Sequence, residues 1–469
     1  MKRLSGWDAT FLYSETPNVH MHTLKIGVLE LGEARQDFTM EAFRAFIGNR
    51  LYKTEPLGYQ LVEVPLKFHH PMWRENCEID LDYHIRPWPV SAPGGRRQFD
   101  EVIGEIASTP LDRRRPLWEI YVVEGLAHNR IGVIGKIHHA LADGVASANL
   151  LARGMDLQPT PERRQYLPDP APGKLELMGS AFVDHLRQIG RIPRTVRYTA
   201  QGFARVRRSS LKFSSDLARP FAPPRTFMNH VLAPERKFAT ATLALADVKQ
   251  AAKRLEGTIN DMVLAMSTGA LRTLSLRYDG KAEPLIASVP VSYDPSPERI
   301  SGNSFSGMLV ALPVDCADPL EWVRRCHANA ISAKGIFQLV GPELLPRWTA
   351  YAPPVVSEGL FRRSAIREGQ SKMFNVNISN VAGPRQRGRV DGTLVTEIYS
   401  VGPLMAGIAV NITVWSYADQ LNISVLTDDV AVQDPHEVTD AMIAAFIHIR
   451  RAAGISAELA TVETAMAPA

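Results

Sequence analysis

His138 and His139 stand in the stretch KIHHALADGVA, Lys136 to Ala146, with Asp143 and Gly144 a few residues behind them. An imidazole titrates at ~6.5 when unperturbed, close to neutral pH, which suits it to general-base work. A second pair, His69 and His70 in FHHPMW, has a proline directly after it and no Asp-Gly behind. Proline biases the preceding residue toward extended or turn backbone, so His69 and His70 read as structural or exposed. The first pair is the one whose surroundings look built for a reaction.

Those surroundings are a strand that runs into a helix. PLWEIYVVEGL and IGVIGKIHH are apolar, β-branched runs separated by the turn residues AHNR, which predicts an antiparallel strand pair. DGVASANLLARGM predicts a helix with Asp143 as its N-cap. Neighbouring side chains on a strand point to opposite faces, so His138 and His139 cannot both face one cavity. That geometry argues against a shared metal ion, and no metal site is expected. It favours one histidine as base and the other as support. Asp143 would fix a tautomer, or pair with an arginine and hold the loop. Gly144 lacks a Cβ, which permits a tight turn or close approach of a substrate. Taken singly, each residue has a blander account: a strand histidine is usually packed, and Asp143 suffices as a cap. The spacing is what carries the functional reading.

Beyond residue 228 the sequence opens with helical ADVKQAAKRLEG, where Gly257 suits the position after a helix end. Thr258 and Asp261 then form a T-x-x-D capping box for a second helix. Strands are expected in PLIASVPVS, SFSGMLVALPV, FNVNISNV, GIAVNITVWSY and QLNISVLTD. The whole reads as an α/β chain of two comparable units, each with a mixed sheet.

A chain of 469 residues is too long for one ordinary core. Its 45% apolar and 22% charged residues are those of a globular protein, and a net charge of +4 gives no ground for a nucleic-acid partner. Cys77, Cys316 and Cys326 form no C-x-x-C pair, which fits a reducing compartment. The opening residues lack the apolar core of a secretory signal, and no apolar run reaches the ~20 residues of a spanning helix. Proline-rich stretches at Gln158–Lys174 and Ala218–Phe227 divide the chain into 1–157, a connecting segment 158–227, 228–456, and a flexible tail 457–469. The connecting segment interleaves Arg187, Arg191, Arg194, Arg197, Arg205, Arg207, Arg208 and Lys212 with apolar residues. It would lie on an anionic membrane surface or form a solvated helix spanning two domains.

His138 to Gly144 matches the HHxxxDG signature of the CoA-dependent acyltransferase superfamily, which includes chloramphenicol acetyltransferase and peptide-synthetase condensation domains. Further segments resemble one branch, the bacterial wax ester synthase/acyl-CoA:diacylglycerol acyltransferases: LSGWDATFL at the start, PLDRRRPLWE, INDMVLA, NISNVAGP, VNITVWSY and LNIS, in that order. The resemblance implies two chloramphenicol-acetyltransferase-like α/β halves, with a tunnel between them and the histidine pair at its midpoint. It implies His139 as general base, His138 as support, and Asp143 holding the loop, with Arg113 as its expected partner. Asn260, Asn377 and Ser379 would line the substrate path from the second half. The implied substrates are acyl-CoA and a lipid alcohol, diacylglycerol first and long-chain fatty alcohol second, with no cofactor. The implied location is cytoplasmic or peripheral, at the inner membrane or lipid droplets. Two other classes are a non-catalytic acyl-lipid-binding protein of this fold and an enzyme acting on carrier-bound chains. An intact HHxxxDG site speaks against the first of these. One departure stands out: Tyr293 and Asp294 follow VPVS where many relatives carry a basic residue.

Overall fold

The computed structural model describes residues 1–32, 38–155, 157, 169–209, 223–367 and 373–462. The strands Trp118–Leu126 and Arg130–His138 pair antiparallel, as their composition predicts. His128 and Asn129 supply the left-handed backbone of the turn between them, with φ of 61° and 54°. Side chains alternate along Arg130–His138, so Lys136 and His138 share the buried face. Lys136 donates to the carbonyl of Ile106 at 3.1 Å and to the Thr109 hydroxyl at 2.8 Å, closing the end of the helix Arg96–Ser108.

Two six-stranded mixed sheets dominate the architecture. The second runs, in order, Phe305–Leu312, Leu285–Ser292, Val376–Ala382, Val410–Tyr417, Gln420–Asp428 and Arg236–Ala244. All five strands expected in the second half are there. The first sheet runs Arg389–Val390, Thr393–Val401, His22–Glu30, Arg130–His138, Trp118–Leu126 and Ile85–Pro89. Its first two strands come from beyond residue 388. Boundaries drawn at 157 and 228 therefore do not enclose the first sheet. TLVTEIYSV, which drew no strand expectation, is the segment that crosses over and pairs with His22–Glu30.

Traffic also runs the other way. The helix Arg96–Ser108 packs on the strand Arg236–Ala244 of the second sheet. Its buried Asp100 accepts from the Thr240 amide at 3.0 Å and lies 3.0 Å from Nε2 of His436. Arg96 pairs with buried Glu397 at 2.6 Å. One apolar core accordingly holds Phe99 and Ile103 together with Phe238, Leu271 and Phe446.

Thr258 caps the helix Ile259–Tyr278, and Asp261 closes the capping box as expected. Gly257 is not the left-handed residue at the end of Leu245–Arg254. Glu256 takes that conformation at φ 52°, while the Gly257 amide reaches back to the Ala252 carbonyl at 2.9 Å. The tail is partly fastened: the Ala460 amide donates to Asp247 at 2.8 Å, and residues 463–469 lie outside the described residues.

The proline-rich expectations at 158–168 and 218–222, and Lys212, also lie outside the described residues. The basic segment forms one helix, Lys174–Arg208, with Pro193 inside it. A narrow stripe, Leu177, Ala181, Thr195 and Gly202, is buried. The helix packs on Pro319–Val340 and Leu344–Thr349, with Gly202 against the backbone of Val340 and Thr195 beside Tyr351. Phe182, Leu186, Ile189 and Phe203 stay exposed beside the arginines. No helix of the described residues is long and apolar enough to cross a membrane.

Candidate active site

His138 ends its strand and His139 begins the turn into the helix Gly144–Gly154. Among the described residues, the hydrogen bonds, ion pair and ring contacts of the two side chains go to different partners. The His138 ring is buried, and its Nδ1 accepts the Ala140 amide at 3.0 Å. The remaining nitrogen, Nε2, therefore carries the proton and lies 3.2 Å from Oε1 of Glu15, close but not aligned for a hydrogen bond. Glu15 in turn accepts from Arg113 at 2.8 Å and from the Met21 amide at 3.0 Å. Burial works against ionisation of Glu15, yet His138 and Arg113 outweigh it and hold the carboxyl well below its usual range.

His139 has a different set of neighbours. Its Nδ1 lies 2.9 Å from the amide oxygen of Asn303. The Asn303 nitrogen donates to Oδ1 of Asp8 and to the His139 carbonyl, both at 2.8 Å, which identifies the atom facing the ring as oxygen. Nδ1 must then be the protonated nitrogen, and Nε2 keeps its lone pair. Phe11 stacks on the ring at 4.2 Å between centroids and 11° between planes, and Phe305 closes a second side at 5.6 Å. Enclosure by these rings pushes the imidazole pKa down to about 4, against the opposing pull of Asp143. The residue as a whole is half-buried. At neutral pH the ring is a neutral imidazole with Nε2 unprotonated.

Asp143 caps the helix Gly144–Gly154 through the Ala146 amide at 2.9 Å. Its expected partner, Arg113, is committed elsewhere, on Glu15. The guanidinium that meets Asp143 is that of Arg299, with Nη1–Oδ2 at 2.9 Å and Nη2–Oδ1 at 3.0 Å. The Ser304 amide adds a fourth bond to the carboxylate at 2.8 Å. Gly302 lies between these residues at φ 74°, and its amide donates to the Leu141 carbonyl at 2.7 Å. Asp143 thus ties the histidine loop to residues 294–304. Arg299 lies six residues beyond Tyr293, where a basic residue was expected, and it bonds the Asp294 carbonyl at 3.2 Å.

Gly144 is not a left-handed turn residue. It permits close approach instead: a Cβ there would stand 3.3 Å from Val381 at the end of the strand Val376–Ala382. That strand carries Asn377 and Ser379, both half-buried. Asn260 is the second residue of the helix Ile259–Tyr278. Among the described residues, none of these three makes a hydrogen bond to His139. His69 and His70 are both buried rather than exposed. His70 joins the Tyr13 hydroxyl at 2.8 Å to the Ala350 carbonyl at 3.1 Å, a structural role.

Asp8, Glu15, Arg299 and Asn303 were absent from the sequence reading. A signal for Asp8 exists. Asp8 and Phe11 are three residues apart, the spacing of one helical stripe, and the helix Gly6–Tyr13 carries both beside His139, whereas Glu15 lies past the helix end.

An HHxxxDG loop seated between two mixed sheets that exchange elements defines the two-lobed CoA-dependent acyltransferase class. Residues 4–263 match the model of the wax ester synthase/diacylglycerol acyltransferase catalytic domain, and residues 301–450 match the WS/DGAT C-terminal domain. The chain belongs to this family of acyltransferases. A Mycobacterium tuberculosis protein provisionally named a diacylglycerol O-acyltransferase is 71% identical over 469 residues, covering 100% of both chains. Another from the same organism, with the same provisional name, is 33% identical over 450 residues, 93% of this chain and 94% of its own. The solved wax ester synthase/diacylglycerol acyltransferase from Marinobacter aquaeolei shares the fold with a TM-score of 0.69 at 23% identity, covering 97% of this chain and 100% of that one. The starter condensation domain of rhizomide synthetase, solved with C8-CoA and Leu-SNAC, follows with a TM-score of 0.55 at 14% identity, covering 98% and 95%.

Proposed function

We propose that the protein moves a long-chain acyl group from acyl-CoA to the free hydroxyl of diacylglycerol, giving triacylglycerol and CoA, with His139 as general base. The single observation that carries the mechanism is the contact between Nδ1 of His139 and the Asn303 amide oxygen, which leaves Nε2 unprotonated. In the first step Nε2 takes the hydroxyl proton as that oxygen attacks the thioester carbonyl. The tetrahedral intermediate then expels the CoA sulfur, and the imidazolium returns its proton to the thiolate. An imidazole of lowered basicity gives that proton up readily. The scheme needs no metal or cofactor, and acyl-CoA is consumed as substrate. His138 supports the loop through Glu15, and Asn260, Asn377 and Ser379 line the passage for acyl chain and acceptor between the halves.

The choice of diacylglycerol follows the names of the relatives in Mycobacterium tuberculosis. Wax ester formation on a long-chain fatty alcohol is the second reading, since the family description covers both acceptors. The donor assignment draws support from the condensation domain solved with C8-CoA. Incubation of purified protein with labelled oleoyl-CoA, offering diacylglycerol or hexadecanol, reports both ester and free thiol. Ester with diacylglycerol and an equal yield of thiol is the expected result. Neither product with any lipid alcohol, from folded protein, would sink the enzymatic reading.

The same reading places the protein at the cytoplasmic face of a membrane or lipid droplet, where its acceptor dissolves. Supporting this, Phe182, Ile189 and Phe203 are 57%, 62% and 60% exposed along a helix whose arginines also face out. Sedimentation with anionic vesicles at low salt tests it, and failure to sediment there counts against it.

A further inference from the structure

We propose that Asp8 is a positioning residue for acyl transfer, acting through Asn303 to fix which nitrogen of His139 is free. This rests on His139 being the base. A primary amide presents one oxygen acceptor and two N–H donors, and its two orientations differ only in which end faces which neighbour. Both hydrogens of the Asn303 amide nitrogen are committed, one to Oδ1 of Asp8 at 2.8 Å and one to the His139 carbonyl at 2.8 Å. The Asn303 backbone amide adds a third bond, to the same Asp8 oxygen, at 2.9 Å. Turning the amide over would set its oxygen against a carboxylate and a carbonyl, and its nitrogen against Nδ1. Nδ1 would then accept, the ring proton would move to Nε2, and the base would be gone.

Burial raises the pKa of Asp8, while the bonds from Asn303 and Ser5 favour its ionised form. As a carboxylate it only accepts, and its hydrogen bonds are roughly twice as strong as neutral ones, which makes that rearrangement costly. An asparagine at this position would carry the same ambiguity as Asn303 itself. Asp8 is held in turn. The Ser5 hydroxyl donates to Oδ2 at 2.6 Å, and Ser5, the helix N-cap, accepts the Asp8 amide at 3.0 Å. A carboxylate in the first turn also suits the positive end of the helix. Phe11, one turn further along, covers the ring of His139. The opening segment SGWDATF thereby supplies both the tautomer lock and the stacking face. Orientation passes from an acceptor-only group, through an amide that must obey it, to the imidazole.

The test combines turnover with the nitrogen-15 spectrum of histidine-labelled full-length protein, the His139 signals being assigned by their loss in His139→Ala. In the wild type at neutral pH, Nδ1 should show the protonated signature and Nε2 the unprotonated one. Asp8→Ala should move both toward averaged values and lower kcat by about 10–100-fold. The KM for acyl-CoA should stay within about threefold, because substrate contacts are untouched. Asp8→Asn, which preserves shape and folding, should fall between Ala and wild type on both readouts. Wild-type turnover in Asp8→Ala overturns the proposal. So does lost turnover with an unchanged His139 spectrum, which would make Asp8 merely structural. If Asp8→Ala does not fold, Asp8→Asn with wild-type rate and spectrum overturns it equally. Activity surviving in His139→Ala would instead defeat the base assignment, and the spectra would still judge whether Asp8 sets the tautomer.

Discussion

Asp143 and Arg299 face each other through a hydrogen bond of 3.0 Å from Nη2 to Oδ1 and an ion-pair contact of 2.9 Å between Nη1 and Oδ2, across 156 residues of sequence. The pair is buried, with 2% of the Asp143 side chain and 11% of the Arg299 side chain exposed. Its two members belong to the two loops between which His139 sits.

Removing one partner of such a pair leaves the other charge buried without compensation. Arg299→Ala should cost about 3–5 kcal/mol of stability, read as a lowered urea midpoint, and should abolish acyl transfer. Arg299→Lys keeps the charge but not the planar fork, so it should recover only part of the loss. Equal stability of Arg299→Ala and wild type would show that the loops hold together without the pair.

The two histidines should separate in kinetics. His139→Ala should reduce turnover to background, a loss of about 100-fold or more for a general base. His138→Ala should retain measurable turnover and lose stability, because Glu15 and Arg113 keep each other while the cavity left behind is buried. Equal and complete loss from both, in folded protein, contradicts the division of roles.

The pH dependence follows from burial of His139. Burial pushes its pKa down to about 4 from the ~6.5 of a free imidazole, so Nε2 is unprotonated through the neutral range. The acid limb of kcat/KM should inflect near 4 and not near 6.5. The sign for stability is the ordinary one for a depressed histidine. Below about 6.5 the unfolded chain takes up a proton that the folded chain refuses, so stability falls as pH drops from there toward the folded pKa. His20, His22, His69 and His70 are shifted the same way by their burial and deepen the loss. Urea midpoints from pH 8 to pH 5 would show it. A flat profile would mean these histidines titrate freely.

Gly6 tests the seating of the first helix. A Cβ there would stand 2.3 Å from the Thr349 backbone, which cannot swing aside as a side chain would. Gly6→Ala should therefore displace the helix that carries Asp8 and Phe11. About 1–3 kcal/mol of destabilisation is expected, together with lower turnover. Retained turnover at reduced stability would show that Asp8 and Phe11 follow the shift.

Local signals in the sequence were readable. The strand before His138, the Asp143 cap, the Thr258–Asp261 box and five strands of the second half each rest on contacts within a few residues. Long-range partners were not. Arg113 drew the expectation for Asp143 because it stands in a recognisable segment nearby in sequence, whereas Arg299 is set there by the Gly302 turn from the other half. Asn303 looks like an ordinary loop residue until Asp8 and His139 meet on it. The residues of Thr393–Val401, TLVTEIYSV, have the β-branched and aromatic character of a strand that the reading passed over, but nothing in them says which sheet it joins.

The crossing of that strand has a consequence for how the molecule is made. A nascent chain that has emerged only through residue 157 carries the complete histidine signature with Asp8, Phe11 and Glu15, but lacks the residues of the second loop that join them. Arg299 and Asn303 arrive some hundred and fifty residues later. The neighbour of His22–Glu30 is synthesised only at residues 393–401. Catalytic competence is thus a property of the nearly finished chain, and a ribosome that stalls midway releases a fragment with an open sheet edge and an unguarded imidazole, not half an enzyme.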